Sequence, residues 1–508
     1  MTFKLSDIAD KLSKRGLLVT GPDNGNATVT SLTYDSREVS AGTLFFCKGA
    51  HFRVDYLKAA QVSGAVAYVS ERDYGIDLPA LIVKDVRQAM PIVANYFYDQ
   101  PWQAYKLAGI TGTKGKTTTT TFLKKILDCY EKSVGGKETA YFSSTLTYDG
   151  VDRKPSALTT PESLPLFEQL DHVRQSGIDF LTMEVSSQAL KYHRVDEMSF
   201  DVVGFLNIST DHIGSSEHPN FEDYFQSKLR LFDYGRLAVI NWNTDYRDQV
   251  LAAAEASSSI EEIITFSRDD SAADYWVDEI RADDNGQTFK VHHGDEVEEI
   301  HLGMPGIFNI DNALMALIMA RAYGVSYTII NQALSDAKAE GRMEVYRSED
   351  NQVKAIVDYA HNKLSMEQLI EAAHSLFPDH LVWVVTGSAG DKGQSRRQDM
   401  GQVIGQAADK AYLTSDDYNF EDPSAIASEI AQAIYEVNPD AEVNDFIHDR
   451  HAAISQALSD AQELEQGVVV LVAGKGSDAY FLINGQKEDY QADTDFIQDY
   501  INHYNSQK

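Results

Sequence analysis

The stretch "GITGTKGKTTTT" (Gly109–Thr120) decides the fold. An apolar run, "LAGITG", leads into it, and a helix-like run, "KTTTTTFLKKILDCYEK", leads out. Strand, glycine loop and helix in that order make a phosphate cradle, with loop N–H groups and the helix N-terminus turned toward the anion. In that cradle Lys116 would reach the outer phosphates and the Thr117 hydroxyl would bind Mg²⁺. The common form of the loop has glycine five residues before the Gly of Gly-Lys-Thr. Here that place holds Ile110, so a strand-to-helix turn capped by threonines is the competing reading.

Working outward from the loop, near-continuous apolar strands recur: "IDFLTMEV", "FDVVGFLNI" and "LAVINW". Alternating with helices, they predict a parallel sheet covered on both faces. "NGQTFKVHHGDEVEEIHL" reads as a hairpin closed at His293-Gly294-Asp295, and "NIDNALMALIMARAYG" as the helix that ends this block. Before it, "TVTSLTYD", "GTLFFCKG", "AVAYVSE" and "ALIVKD" make a small α/β module. After it, "KAIVDYA", "LVWVVTG", "KAYLTS" and "VVVLVAG" make a third. At roughly 100–200 residues per domain, a chain of 508 residues fits three α/β domains, drawn here at 1–106, 107–340 and 341–508.

The net charge of −33 argues against nucleic acid as a partner. No apolar run reaches the roughly 18 residues of a membrane span, and "MTFKLSDIADKLSKRG" reads as a polar amphipathic helix rather than a signal peptide. With two cysteines there is no disulfide framework, and the expected location is cytoplasmic.

Further candidates lie where strands end. Glu184 in "MEVSSQALKYHRV" stands at the carboxyl end of the sheet, where α/β folds place ligands. Asn207, Asp211 and His212 follow the next strand in "FLNISTDHIG", and Lys228 lies beyond them in "NFEDYFQSKLRLF". Taken singly, each also has a structural reading as a solvated Glu, a core His or a surface Lys.

Taken together, the loop "TGTKGKTT" and this order of residues resemble the Mur ligases and their folylpolyglutamate synthetase relatives. The resemblance implies a small UDP-binding domain, a central P-loop ATPase-like domain with a mostly parallel sheet, and a C-terminal Rossmann-like domain. It implies ATP on Gly112, Thr113, Lys114, Gly115, Lys116, Thr117 and Thr118, with Asn309 and Asn312 on the adenine side. Arg342, Asp358, Tyr359 and His361 ("GRMEV", "DYAHN") would close over the nucleotide. It implies Thr117 and Glu184 on one Mg²⁺, Glu184 and His212 on a second, and Lys228 carbamylated by CO₂ to orient that second metal. Lys116, Glu184, His212 and Lys228 would form the catalytic set.

"LTYDSREV" and "TTPES" resemble the branch of the family that adds the third peptide residue to UDP-MurNAc-L-Ala-D-Glu. On that likeness Ser36 lies near the uridine, and Thr159, Thr160, Ser186, Tyr192 and Arg194 hold the sugar-dipeptide end. Diaminopimelate-adding relatives carry D-N-P-R, whose arginine grips a second carboxylate; here the stretch reads Asp416, Asp417, Tyr418, Asn419. Loss of a bidentate arginine argues against that substrate. Asp416, Asp417 and Asp478 suit an ammonium, Lys392 the α-carboxylate, and Asn419 and Gly474 complete the pocket, so L-lysine is the expected amino acid. The expected protein is a monomer that forms an amide bond through an acyl phosphate. Three other readings stay open: the same reaction with diaminopimelate or ornithine, a folylpolyglutamate synthetase-like ligase, and an inactive scaffold that binds UDP-MurNAc-peptides.

Overall fold

The computed structural model describes residues 2–508 except 23–24, 50–51, 211–212, 215–216, 284–285 and 392–394. Three α/β units follow one another along the chain, each built on a sheet that is parallel in its middle. The central sheet has eleven strands. Seven of them run parallel side by side: Ala140–Phe142, Phe180–Glu184, Lys106–Thr111, Phe200–Phe205, Gly235–Asn241, Glu262–Ser267 and Tyr275–Asp283. Antiparallel strands finish both edges: Leu146–Tyr148 and Arg153–Pro155 on one side, Gly286–His293 and Glu296–Leu302 on the other. The expected hairpin is the last pair, and since His293 pairs with Glu296, its turn is Gly294-Asp295.

The loop-bearing strand Lys106–Thr111 lies between Phe180–Glu184 and Phe200–Phe205. That register brings the loop, Glu184 and Asn207 to one end of the sheet. Helix Phe308–Ala322 is apolar around most of its circumference, because it is buried against the sheet and neighbouring helices rather than floated on a surface. It reaches close contact at Gly204, where a Cβ would lie 2.5 Å from Met315 Sδ.

Helix Lys116–Val134 begins with a run of five threonines after its lysine, a poor local choice for a helix. Tertiary bonds override the propensity. Thr119 Oγ1 donates to Asn312 Oδ1 at 3.2 Å, Thr120 Oγ1 back-bonds to Lys116 O at 2.7 Å, and the Thr121 hydroxyl shares a hydrogen bond with that of Tyr141 at 2.8 Å.

The first unit is a five-stranded sheet whose helices Leu5–Lys14 and Val86–Phe97 share an apolar core with one face of the central sheet. In the third unit, Lys354–Asp358, Val468–Ala473, Leu381–Thr386, Lys410–Leu413 and Glu442–Val443 run parallel, with Glu344–Arg347 antiparallel at the edge. Its helices Lys363–Leu376 and Pro423–Val437 start from side-chain caps, Asn362 in a capping box with Ser365 and Asp422 accepting from Ser424 N.

One buried ion pair ties together the carboxyl ends of two of these strands. Arg450 and Asp493 are both fully buried, with Nη2 to Oδ2 at 2.7 Å and Nε to Oδ1 at 3.0 Å. Tyr490 donates to the same carboxylate at 2.7 Å, and Arg450 Nη2 donates to Ala473 O at 2.9 Å. The pair therefore ties the C-terminal helix Asp493–Ser506 to the end of the strand that carries Gly474. Arg450→Met leaves Asp493 buried without its cation and should destabilise the protein by about 3–5 kcal/mol. Denaturant unfolding checks this, and the double substitution with Asp493→Leu should recover most of the loss.

Candidate functional site

A cleft of about 420 Å³ opens where the central and third units meet. Its walls include Thr113 to Thr118, Thr159, Glu184, Asn312, Arg342, Asp358, Tyr359, His361, Asp416, Asp417, Gly474 and Asp478, so residues singled out in the central and third units converge here.

The loop is braced from below. Thr113 N donates to Asn207 O at 3.0 Å, Lys114 N donates to Asn207 Oδ1 at 2.9 Å, and Asn207 Nδ2 returns a bond to Lys114 O at 3.2 Å. Gly115 takes φ +84°, and a Cβ there would stand 2.2 Å from Asn312 Oδ1, so no other residue fits. Asn312 Nδ2 donates to Asn309 Oδ1 at 3.0 Å, and Asn309 Nδ2 donates to Pro305 O at 2.7 Å. Asn309 is fully buried and stands behind Asn312 as a brace, while Asn312 reaches the cleft wall.

Two lysines meet at the Gly112 carbonyl. Lys116 Nζ donates to it at 2.9 Å and Lys228 Nζ at 2.7 Å. Lys228 is 1% exposed, so a residue that reads as a surface lysine in an amphipathic helix points into the floor of the site. The oxygen donors lie next to this pair. The hydroxyls of Thr117 and Ser144 are 3.0 Å apart, and Ser144 N donates to Glu184 Oε1 at 2.8 Å. Thr117 and Glu184 thus both contact Ser144, and their hard oxygens are of the kind that suits Mg²⁺. Among the described residues no three His, Cys, Asp or Glu side chains gather as a metal cluster. Mg²⁺ needs none, since it binds through one or two carboxylates, phosphate and water. His212, proposed for the second metal, and Asp211 lie outside the described residues.

Across the cleft, His361 Nδ1 donates to Tyr359 O at 2.8 Å, which leaves Nε2 to accept from Lys114 Nζ at 3.1 Å. This contact joins the loop directly to the third unit. Arg342 stacks over the Tyr359 ring at 4.3 Å, and Met343 N donates to Asp358 Oδ2 at 2.8 Å. Burial pushes the Asp358 carboxyl above its usual range, against Arg342 and the N–H groups of Met343 and Ala360.

Toward the first unit the side chains form a separate cationic cluster. Arg194 Nη2 and Lys48 Nζ reach the two oxygens of Glu162 at 2.7 and 2.8 Å, and Arg87 Nη1 comes to 3.8 Å. Burial disfavours the charged Glu162 carboxylate, but the three cations outweigh it and hold its pKa below the ordinary value. Arg194 Nη1 also donates to Thr160 O at 3.1 Å, Ser186 N donates to Thr160 Oγ1 at 3.1 Å, and Arg87 stacks on Tyr192 at 4.3 Å. Thr160, Ser186, Tyr192 and Arg194 are therefore one group. Ser36 sits on the turn after Tyr34, whose ring carries Lys48 at 4.3 Å. Sequence reasoning did not single out Lys48, Arg87 or Glu162, although Glu162 lies within "TTPES": they come from distant segments, and only the packing of the first unit on the central sheet assembles them.

At the amine end, Asp416 Oδ1 accepts from Asp417 N at 2.7 Å and its Oδ2 faces Gly474, whose missing side chain leaves it room. Burial pushes both Asp416 and Asp478 upward, with Lys475 working against it in each case. Asn419 has φ +49° and locks loops: Nδ2 donates to Asp391 Oδ2 at 3.0 Å, and Oδ1 accepts from Gly485 N at 2.7 Å. Lys392 lies outside the described residues; Arg396, which sequence reasoning missed, is among the residues that line the cleft.

Comparison with known proteins agrees along the chain. The Mur ligase middle domain matches residues 110–320 and the Mur ligase glutamate ligase domain residues 341–476. A UDP-N-acetylmuramoyl-L-alanyl-D-glutamate–L-lysine ligase of Streptococcus pneumoniae is 37% identical, over 98% of this chain and 100% of the relative. A UDP-N-acetylmuramyl-tripeptide synthetase of Lactococcus lactis subsp. cremoris is 40% identical over 92% of each. Among solved structures, a UDP-N-acetylmuramoyl-L-alanyl-D-glutamate–2,6-diaminopimelate ligase superimposes with a TM-score of 0.67 at 25% identity, covering 99% of each chain.

A largely buried carboxyl next to Asn312 in sequence gives the fold a pH signature. Asp311 pairs with Arg268 at 3.3 Å, yet its Oδ1 finds no donor among the described residues, and burial raises its pKa to about 6. The folded chain thus holds this proton more tightly than the unfolded chain, whose value is about 3.9. The resulting stability is present below about pH 4 and lost as pH rises through about 6. Asp311→Asn should match wild type near pH 4 and exceed it by about 2–3 kcal/mol above pH 6. Thermal unfolding of both proteins across that range checks the sign.

Proposed function

The chain belongs to the Mur ligase family, and from that premise we propose that it joins L-lysine to the γ-carboxylate of D-Glu in UDP-MurNAc-L-Ala-D-Glu, driven by ATP. The observation that carries this reading is that one cleft is lined both by the Thr113–Thr118 loop and by the acidic residues Asp416, Asp417 and Asp478, with Glu184 and Thr159 also in its walls. A phosphate cradle and an amine pocket on one cleft are what an acyl-phosphate ligase requires. The two wall-forming units divide as 107–340 and 341–508, with 1–106 as the UDP-binding unit.

The γ-carboxylate attacks the γ-phosphate of ATP, giving an acyl phosphate and ADP. The neutral α-amine of lysine then attacks the acyl carbon; phosphate leaves and the amine proton passes out of the new amide. Phosphoryl transfer depends chiefly on positioning and electrostatics. Lys116 supplies a cation at the outer phosphates, and the braced 113–115 backbone fixes their position. Thr117 and Glu184 fit Mg²⁺, which offsets charge on the transferring group when bound. Lys228 fits carbamylation by CO₂. Its neighbour at the Gly112 carbonyl is Lys116, so turning one ammonium into an anion converts a repulsion into an attraction. Arg194, Lys48 and Arg87 provide cations for the UDP-sugar-dipeptide side. The lysine side-chain ammonium suits the aspartates, and Lys392 and the cleft-lining Arg396 are the cations proposed for its α-carboxylate. We place the reaction in the cytoplasm, with the protein a monomer; no helix among the described residues is long and apolar enough to cross a membrane.

Phosphate release from ATP with Mg²⁺ and UDP-MurNAc-L-Ala-D-Glu, with L-lysine, meso-diaminopimelate or L-ornithine added in parallel, tests the reading. The expected result is lysine ahead of diaminopimelate by about 10–100-fold in kcat/KM, the scale of one lost charged hydrogen bond, with the lysine tripeptide identified by mass. Preference for diaminopimelate would overturn the choice of amino acid, and silence with all three would overturn the reaction.

A further inference from the structure

The acidic pocket already contains a cation from the chain itself. Lys475, in "AGKGSDAYF", has a side chain only 1% exposed, and its Nζ lies 2.8 Å from Asp417 Oδ1 and 4.0 Å from Asp478 Oδ2. Tyr480 and Phe481 frame the ammonium at 4.9 and 5.1 Å from their ring centroids. Asp417 Oδ1 also accepts from Leu482 N at 2.9 Å, and Asp416 Oδ1 accepts from Asp417 N. Asp417 is thus the carboxylate held most closely by Lys475 and by the hairpin Tyr480–Asp489, while Asp416 and Asp478 line the same cleft and feel Lys475 from farther off.

Resting on the proposed lysine reading, we infer that Lys475 is a specificity-determining residue: a fixed internal ammonium that has claimed Asp417, so that the substrate ammonium is held by Asp416 and Asp478. Lys475 sets the pocket's charge. Three carboxylates and one internal cation leave a surplus of two negative charges for an incoming amine. Removing Asp417 alone halves that surplus and leaves Lys475 facing the substrate cation at close range, where like charges repel. Removing Lys475 and Asp417 together restores the surplus with an uncharged pair in place of an ion pair.

The test is a double-substitution cycle read as selectivity, kcat/KM for L-lysine over kcat/KM for L-norleucine, which has the same carbon chain and no side-chain ammonium. Asp417→Asn should lower that ratio about tenfold, chiefly through the lysine KM, and adding Lys475→Met should bring it back to within about threefold of wild type. Equal loss in Asp417→Asn and in the double variant would overturn the inference, because Asp417 would then be a direct ligand of the substrate. An unchanged ratio in all variants would overturn it as well.

The pairing is also read apart from turnover. Thermal unfolding should fall in each single variant and recover in the double, and additive losses would contradict the pairing. Wild-type silence with lysine, in the presence of that recovery, would count against the proposed function while leaving the internal ion pair standing. The two failures are therefore distinguishable.

Discussion

The carbonyl oxygen of Gly112 accepts from two ammonium groups, Lys116 Nζ and Lys228 Nζ. Like charges held this close repel by about 1–4 kcal/mol, depending on screening. The fold accepts that cost because each lysine is fixed from a different direction. Lys116 opens the helix after the loop, and Lys228 sits near the end of helix Phe221–Leu229 with Tyr224, whose hydroxyl hydrogen-bonds the Thr113 hydroxyl at 3.0 Å. A junction of that kind is poised for anions. Phosphate on the Lys116 side and the carbamate proposed for Lys228 would each relieve it, so the electrostatics of one carbonyl link the proposed nucleotide site to the proposed modification.

The surrounding architecture exists to keep that junction rigid. Asn207 on the neighbouring strand end clamps the loop backbone, Asn312 occupies the space beside Gly115, and Asn309 holds Asn312. The third unit reaches the loop through His361 on Lys114 and brings the acidic pocket to the same cleft. The first unit reaches the opposite side through Lys48 and Arg87 on Glu162. A chain with a large negative net charge thereby collects cations at a few places, on the Gly112 carbonyl and around Glu162.

Much of this was legible in the sequence, and the reasons for success and failure are physical. Long apolar strands and the glycine loop predicted the parallel sheets, because their periodicity is local and strong. The threonine-rich helix start and the short edge strands, such as Arg153–Pro155, carry no local signal and depend on tertiary bonds. Motif order singled out Lys116, Thr117, Glu184 and Asp358, which the strand ends bring to one cleft. It could not reveal that Asn309 braces from behind, that Asn419 locks loops, or that Lys475 neutralises Asp417, since each depends on contacts between segments distant along the chain.

The account turns on Lys228 becoming an anion beside Lys116. ¹³C NMR of the protein equilibrated with ¹³C-labelled bicarbonate tests this directly, with Lys228→Met as the control. The account predicts a slowly exchanging carbamate resonance in wild type that is missing from the variant, together with reduced activity in CO₂-depleted buffer that returns when bicarbonate is restored. A wild-type spectrum identical to the variant's, with full activity maintained without CO₂, would contradict it.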